Sequence, residues 1–546
     1  MPGVANSGPA DGMAGGFPCP LSFAQERLWF AHQLDPTDPG YHLVWTFQAT
    51  GPLDADALRL ALNEVVARHE VLRARFVAER GKPTQWIADT LSLPLPVTDL
   101  RHLSEHERDA AAVRWVDEAE RRPFGLDRGP LVTAALLRLT EHTHLLAIRL
   151  HHIVADAWSI EVLLRELGAG YRRPPDAVGP AQPALQYPDF AAWQRERHAS
   201  GALEPALAYW RQRLAGARAA RLPRSPATRR TQPHRAGSQP VELTHDTAAA
   251  VRTLAAAHAV TPYMCLLAAF CVLLRHYCGR DDVVLAVPVA DRPEPGLADS
   301  VGPYLNTVVL RVDTSGDPSF LDLLARVRDA CLDAQANQDA PFEHVVRELR
   351  AAGTAEPPVE VFFVLHSGGT PELRLTGVAV RRTDRPPQPP PMELVVVLID
   401  EGRRLHGRFD YADELFDTPM MAGMVERFAA ILDEAVHQPH RRLAELAPAA
   451  PVIRFPADTP AESPPEPHAT GPVAPRTAAA ITAMWSETRE LDGIDADDDF
   501  FDLGGASLIA VQIIARIQER FGVELTVRQF FENPTVAEQA ALVGEL

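Results

Sequence analysis

Residues 144–160, HLLAIRLHHIVADAWSI, set two adjacent imidazoles, His151 and His152, and one carboxylate, Asp156, between two apolar runs. Imidazole titrates at about pH 6.5, so near neutrality it can accept a proton from an attacking group or hold one in place. Zinc binding is a poor fit, because adjacent histidines point in directions too different for one ion and about three converging ligands are needed. The pattern of two histidines four apart on a helix with a glutamate between them is absent. Acid–base or hydrogen-bonding work remains, with Asp156 fixing the geometry through an arginine. Taken singly, His151 also reads as a satisfied core histidine and Asp156 as a helix cap.

These residues need rigid elements to hold them. Leu146, Ile148 and Leu150 alternate as one face of a strand over 143–150, and Ile160, Leu163, Leu164 and Leu167 follow helical spacing, with Ser159 as the expected N-cap. HHIVADAW is then a strand-to-helix loop, a common seat for reactive groups.

A chain of 546 residues with 46% hydrophobic content requires several globular domains. The net charge of -19 argues against nucleic acid, and short basic stretches such as RRTQPHR read as solvated surface. No apolar run is long enough to span a membrane, and the first 17 residues lack the features of a secretory signal and read as a flexible tail, which gives a cytoplasmic expectation. Five cysteines, three of them (Cys265, Cys271, Cys278) in one apolar helical stretch, show neither disulfide nor metal spacing and read as reduced core residues. The Pro- and Ala-rich stretch 447–476 reads as a linker between a body, 18–446, and a small domain, 477–546. A weaker break at 224–240 divides the body into halves of about 18–225 and 240–446.

HHIVADAWS resembles the HHxxxDG signature of nonribosomal peptide synthetase condensation domains. LSFAQERLWF (21–30), RHEVLRARF (68–76), YPDFAAWQ (187–194), the Tyr209–Trp210 pair, the stretch 261–292, VGPYLNTVVLRV (301–312) and NQDAPFEHVV (337–346) resemble further motifs of that family in the same order. DDDFFDLGGASLIAVQIIARI (497–517) is similar to the attachment motif of peptidyl carrier proteins, flanked by helical stretches as in four-helix carriers. The resemblance implies an α/β fold of two chloramphenicol acetyltransferase-like lobes in a V with a tunnel between them, followed by a small all-α carrier. It implies 4′-phosphopantetheine on Ser507, and amide formation between a donor thioester on an upstream carrier and an amine tethered to Ser507.

By the same resemblance His152 contacts the amine, His151 supports the loop, and Asp156 is structural, paired with Arg292. Ala157 and Trp158 belong to the loop, Arg68 and Arg73 either hold it or form surface ion pairs, and Tyr304 and Asn306 line the tunnel. Ala157 stands where the family has Gly, which would cost stability or narrow the site if that position needs a positive φ. Ala506 replaces the usual His or Asp of the carrier motif. No adenylation segment, ATP-binding glycine loop or GxSxG elbow is found, so the expected partners are a trans-acting adenylation enzyme, a phosphopantetheinyl transferase, and a downstream module or thioesterase. Ester formation, starter condensation from a coenzyme A thioester, epimerisation and a non-catalytic docking platform for tailoring enzymes remain as alternatives.

Overall fold

The computed structural model describes residues 13–79, 82–173, 182–218, 220–224, 236–351, 359–367, 371–383, 392–446, 475–489, 494–498, 500, 507–523, 525–526, 529–530 and 533–545. The linker expected at 447–476 and the weak break at 224–240 lie largely outside them. Of the expected N-terminal tail, residues 1–12 lie outside, while Met13–Ala14 pairs with Thr90–Leu91 and Phe17–Cys19 pairs with Lys82–Ile87.

The first lobe is built on a five-stranded sheet in the order Ala379–Arg382, His42–Thr50, Thr143–His151, Val132–Arg138, Val97–Asp99. Thr143–His151 runs antiparallel to both neighbours, with His151 opposite His42. The alternation in its sequence predicts one buried face; the structure buries both from His144 onward. Leu146, Ile148 and Leu150 face the main core, where helices Ala55–Arg68 and Ala157–Tyr171 contribute Leu62, Val65, Leu163 and Leu167. On the other face Leu145 packs with Ala112 and Trp115 of helix Glu105–Arg121. A central strand covered on both sides gives the signature loop a stiff anchor.

The second lobe carries a six-stranded sheet in the order Ala236–Glu242, Leu405–Ala412, Leu394–Asp400, Val361–Ser367, Asp282–Ala290, Leu305–Asp313. Helix Pro262–Cys278 is apolar nearly all round and buries every residue from Cys265 to Leu274. It starts at Thr261, whose hydroxyl accepts from the Met264 amide, and stops at Gly279, which takes φ 62°. Burial pushes the Cys265 thiol up to about 12 and raises Cys271 further, so both are inert packing groups. Among the described residues no single helix is long and apolar enough to cross a membrane.

The chain does not divide between the lobes as simply as the sequence expectation has it. Leu203, Leu207, Trp210 and Leu222, expected in the first half, pack in the second core. Leu373, Leu375 and Val378 return from the second half to the first core, and Ala379–Arg382 joins the first sheet beside His42–Thr50. Amphipathic spacing shows that an element has a buried face, not which core receives it.

In the small domain, helices Pro475–Arg489, Ser507–Phe521 and Val536–Glu545 are described, and the remaining expected helix falls partly outside the described residues. Ala510, Ile513, Ile514 and Ile517 are buried along one helix face, against a cluster of Trp485, Phe500 and Phe530. Trp485 Nε1 donates to Gln539 Oε1 at 3.1 Å inside that core.

Candidate active site at the lobe junction

The signature strand ends at His151 and the helix begins at Ala157, so the loop is shorter than the sequence spacing predicts. Asp156, not Ser159, is the N-cap. Its Oδ1 accepts the Ser159 amide and the Ser159 hydroxyl, each at 2.7 Å. Freed from capping, the Ser159 hydroxyl reaches the second lobe, lying 2.8 Å from the Gly302 carbonyl and accepting the Gly302 amide at 3.0 Å. Gly302 is required there, because a Cβ would lie 2.0 Å from the ring of Tyr187.

Arg292 meets Asp156 across the junction, its Nη2 lying 3.3 Å and 3.5 Å from the two carboxylate oxygens. Its Nη1 donates to the carbonyls of Leu297 and Ser300, and its guanidinium lies over the Tyr304 ring at 4.1 Å. Trp158, 47% exposed, donates from Nε1 to the Ala298 carbonyl. These contacts bind the start of the helix to the loop 292–304. Ala157 does not take a positive φ and is exposed, so the condition under which the missing glycine would strain the backbone is not met.

His151 is buried, and its Nδ1 accepts the Ile153 amide at 3.1 Å, which fixes the loop from within. Its ring lies edge-on to His32, His42 and Phe124 at 5.7, 6.0 and 5.8 Å. Burial, then the neighbouring imidazoles, holds its pKa well below the usual histidine value, so it is neutral. His42 donates from Nδ1 to the Glu120 carbonyl at 2.7 Å and is likewise depressed by burial.

His152 differs. Its amide donates to the Tyr41 carbonyl at 2.8 Å, but its Nδ1 is enclosed with no well-formed hydrogen bond among the described residues. Burial lowers its pKa, with Arg27 acting in the same direction and Asp156 and nearby backbone opposing. The residue as a whole is nevertheless only half-buried. Tyr41, Arg27 and Glu343 are likewise half-buried.

Other expected site residues sit elsewhere. Arg68 lies 3.1 Å from Glu166 on the signature helix, a carboxylate it shares with the buried His69. Arg73 is neither on the surface nor near the loop; it is buried and donates to the carbonyls of Val66, Ala67 and Ala88, closing the end of helix Ala55–Arg68. Tyr304 does not line an open tunnel: it is wholly buried, its hydroxyl 2.8 Å from Ser300 Oγ. Nor does Asn306, whose Nδ2 donates to the carbonyls of Gln338 and Ala340 while Oδ1 accepts the amides of Thr307 and Phe342. Ser507 is the first residue of its helix, and Gly504, Gly505 and Ala506 lie outside the described residues. Sequence reasoning missed Ser159 as a bridge and the Arg27–Glu343 pair, since no local pattern marks a contact between distant motifs.

Two α/β lobes joined at a histidine-bearing loop, followed by a small helical domain, define the class: an acyl-transfer fold with a carrier. Residues 18–450 match the condensation domain family and residues 479–543 the phosphopantetheine attachment site family. The chain belongs to the condensation-domain family of nonribosomal peptide biosynthesis, and its carrier domain takes covalent 4′-phosphopantetheine. It is 38% identical over 439 residues to phosphinothricin tripeptide synthetase PhsC of Streptomyces viridochromogenes, covering 79% of this chain and 40% of that one. It is 36% identical to chondramide synthase of Chondromyces crocatus, covering 78% of this chain and 11% of that protein. Among solved structures, the X-domain from teicoplanin biosynthesis matches at 26% identity with a TM-score of 0.69, over 78% of this chain and 96% of that one. A four-domain holo nonribosomal peptide synthetase matches in fold at 19% identity and a TM-score of 0.67, over 88% of this chain and 37% of that chain.

Proposed function

We propose that the chain forms an amide between a donor acyl or peptidyl thioester on an upstream carrier and an amine held through the pantetheine arm of Ser507. Ser507 opens a helix, where the backbone amides and the positive end of the helix dipole favour the phosphate of that arm. When attached, the arm supplies the thiol through which the acceptor is tethered. The observation that carries the reading is His152: a neutral imidazole, interior yet touching solvent, with an unpaired ring nitrogen.

His152 orients the amine and takes one proton from it as the C–N bond forms. The C–S bond of the donor breaks, and the departing thiolate recovers a proton, so the net change is one amide and one free thiol. Asp156, Arg292, Ser159 and Gly302 do no proton transfer; they fix the loop from which His152 projects. Much of the rate gain then comes from holding two activated reactants in line. The acceptor is loaded onto Ser507 in trans by a separate adenylating enzyme, consistent with the sequence between the two domains, and the protein acts in the cytoplasm.

A second reading is a docking platform whose carrier-bound substrate is altered by a recruited enzyme. The similarity to the teicoplanin X-domain favours it, since that domain has also been solved in complex with OxyB. One experiment separates the two. The protein is converted to its holo form, Ser507 is loaded with aminoacyl groups, acyl thioester donors are supplied, and the intact mass of the carrier is followed. An acyl-sized increase that disappears in His152→Ala supports condensation. A fully loaded carrier with no increase over a broad donor panel supports the platform.

A further inference from the structure

The lobes meet at a second charged contact besides Asp156–Arg292. Arg27, on helix Phe23–Leu34 of the first lobe, places Nε 3.2 Å from Glu343 Oε1, on helix Phe342–Ala351 of the second. Their side chains are 33% and 27% exposed. Arg27 also acts electrostatically on His152 and on Tyr41, whose carbonyl holds the His152 amide. The helix that carries Arg27 packs against the signature loop, where Gln25 Nε2 donates to the Ile153 carbonyl at 3.3 Å and His32 lies edge-on to His151 at 5.7 Å.

An acceptor α-amine has a pKa of about 7.7–8.0 in water, so a large share of it arrives as an ammonium. Drawing an ammonium into a partly desolvated channel requires a counter-charge. His152 is neutral and supplies none. Asp156 is occupied by Ser159 and Arg292. We propose that Glu343 receives the ammonium group of the acceptor and thereby selects amines over hydroxyls; this rests on the condensation reading above.

Three features suit Glu343 to that task. Its contact with Arg27 is accompanied by no well-formed hydrogen bond among the described residues and is partly solvated, so an incoming cation displaces it at small cost. Its position is rigid, because Asn306 ties the 338–340 carbonyls and the Phe342 amide to strand Leu305–Asp313. Burial raises its pKa, with Arg27, its own backbone amide and Arg195 opposing and Glu26 adding to the rise, so a cation that arrives beside it gives the carboxylate a partner it otherwise lacks in full. A hydroxyl acceptor brings no charge and leaves the Arg27–Glu343 pair closed. The ammonium, once held, releases one proton to solvent, and the neutral amine that results gives a second to His152 as the C–N bond forms.

The test uses the full chain and a soluble probe, 15N-glycine joined to pantetheine through a stable amide, with the amine pKa followed by NMR. A bound probe titrates at least one unit above the free probe in the wild type, returns to the free value in Glu343→Gln, and stays raised or rises further in Arg27→Gln at pH 8. In competition between glycyl- and glycolyl-loaded Ser507, the preference for the amine falls at least tenfold in Glu343→Gln and is kept in Arg27→Gln. A brace between lobes predicts instead that both variants shift in the same direction, and that outcome overturns the proposal. So does an amine pKa unaffected by Glu343→Gln, or a wild type that shows no saturable binding of the probe. Amide formation without a Glu343-dependent shift removes this inference and leaves the condensation reading; a Glu343-dependent shift without amide formation does the reverse.

Discussion

The two ends of the signature loop are built on opposite principles. At its C-terminal end, Asp156 and Ser159 are saturated: a capped amide, a hydroxyl bridging to Gly302, and a guanidinium that is itself held by two carbonyls. At its N-terminal end, His152 keeps a ring nitrogen unpaired although it lies in the interior. An unsatisfied buried polar group costs free energy unless something else imposes it, and here the saturated end does so. Adjacent histidines divide along the same line, His151 buried with its Nδ1 accepting the Ile153 amide and His152 half-buried with its Nδ1 enclosed and making no well-formed hydrogen bond among the described residues.

The sharpest break between the ends is His152→Ala. It removes the half-buried imidazole while leaving the hydrogen bonds around Asp156 in place, so turnover is expected to fall by about 10²–10⁴. The melting temperature should stay within the spread of ordinary surface variants. Single-turnover acyl transfer to loaded Ser507, measured beside a thermal melt, checks both halves. A fold that collapses along with the rate would mean that His152 belongs to the scaffold.

Asp156→Ala attacks the other end. It leaves Arg292 buried with its positive charge uncompensated, a loss of about 3–5 kcal/mol. Chemical denaturation should show this in full, and acyl transfer should fall only so far as the lobes separate. If stability is unchanged while the rate collapses, Asp156 acts on the reactants and the division drawn between the two ends is wrong.

Much of this site was readable in the sequence, though unevenly. Leu146, Ile148 and Leu150 and then Ile160, Leu163, Leu164 and Leu167 placed a loop between strand and helix, because periodicity is a local property. The partnership of Asp156 with Arg292 came through resemblance and holds in the geometry. Tyr304 and Asn306 were misjudged because sequence does not distinguish a polar side chain facing a channel from one buried in a satisfied network. The return of Ala379–Arg382 to the first sheet was invisible for a related reason, since a four-residue edge strand carries too little pattern to declare its partner. Arg27 and Glu343 lie in motifs read separately, and nothing local joins them.

Acidity distinguishes the ends in a third way. His151 and His42 are buried with pKa values depressed by burial, so below about pH 6.5 the unfolded chain binds protons that the folded one refuses. Stability is therefore complete above pH 6.5 and lost as pH falls, by up to about 1.4 kcal/mol per pH unit for each such group until its folded pKa is reached. Asp291 works the other way: burial pushes it up to about 6, so the folded state gains protons between pH 6 and about 4 and recovers part of the loss. Melting temperatures from pH 7.5 to 5 should decline, and His151→Gln should flatten the slope. An unchanged slope would mean that the cluster behind the loop takes up protons in the folded state.

The smallest effect decides the meaning of Ala157. Its backbone is ordinary and its methyl group exposed, at the first position of a helix whose cap is already supplied by Asp156. Ala157→Gly then adds only chain entropy to the unfolded state, a loss of about 0.5–1 kcal/mol, with no gain in acyl transfer. Thermal melts and single-turnover rates on the same preparation measure both. A rise in turnover would show that the methyl obstructs the reactants, and would make the alanine a functional departure in the saturated end of the loop. An unchanged rate with the small stability loss leaves the division between the two ends standing, one given to holding the lobes together and the other to the proposed chemistry.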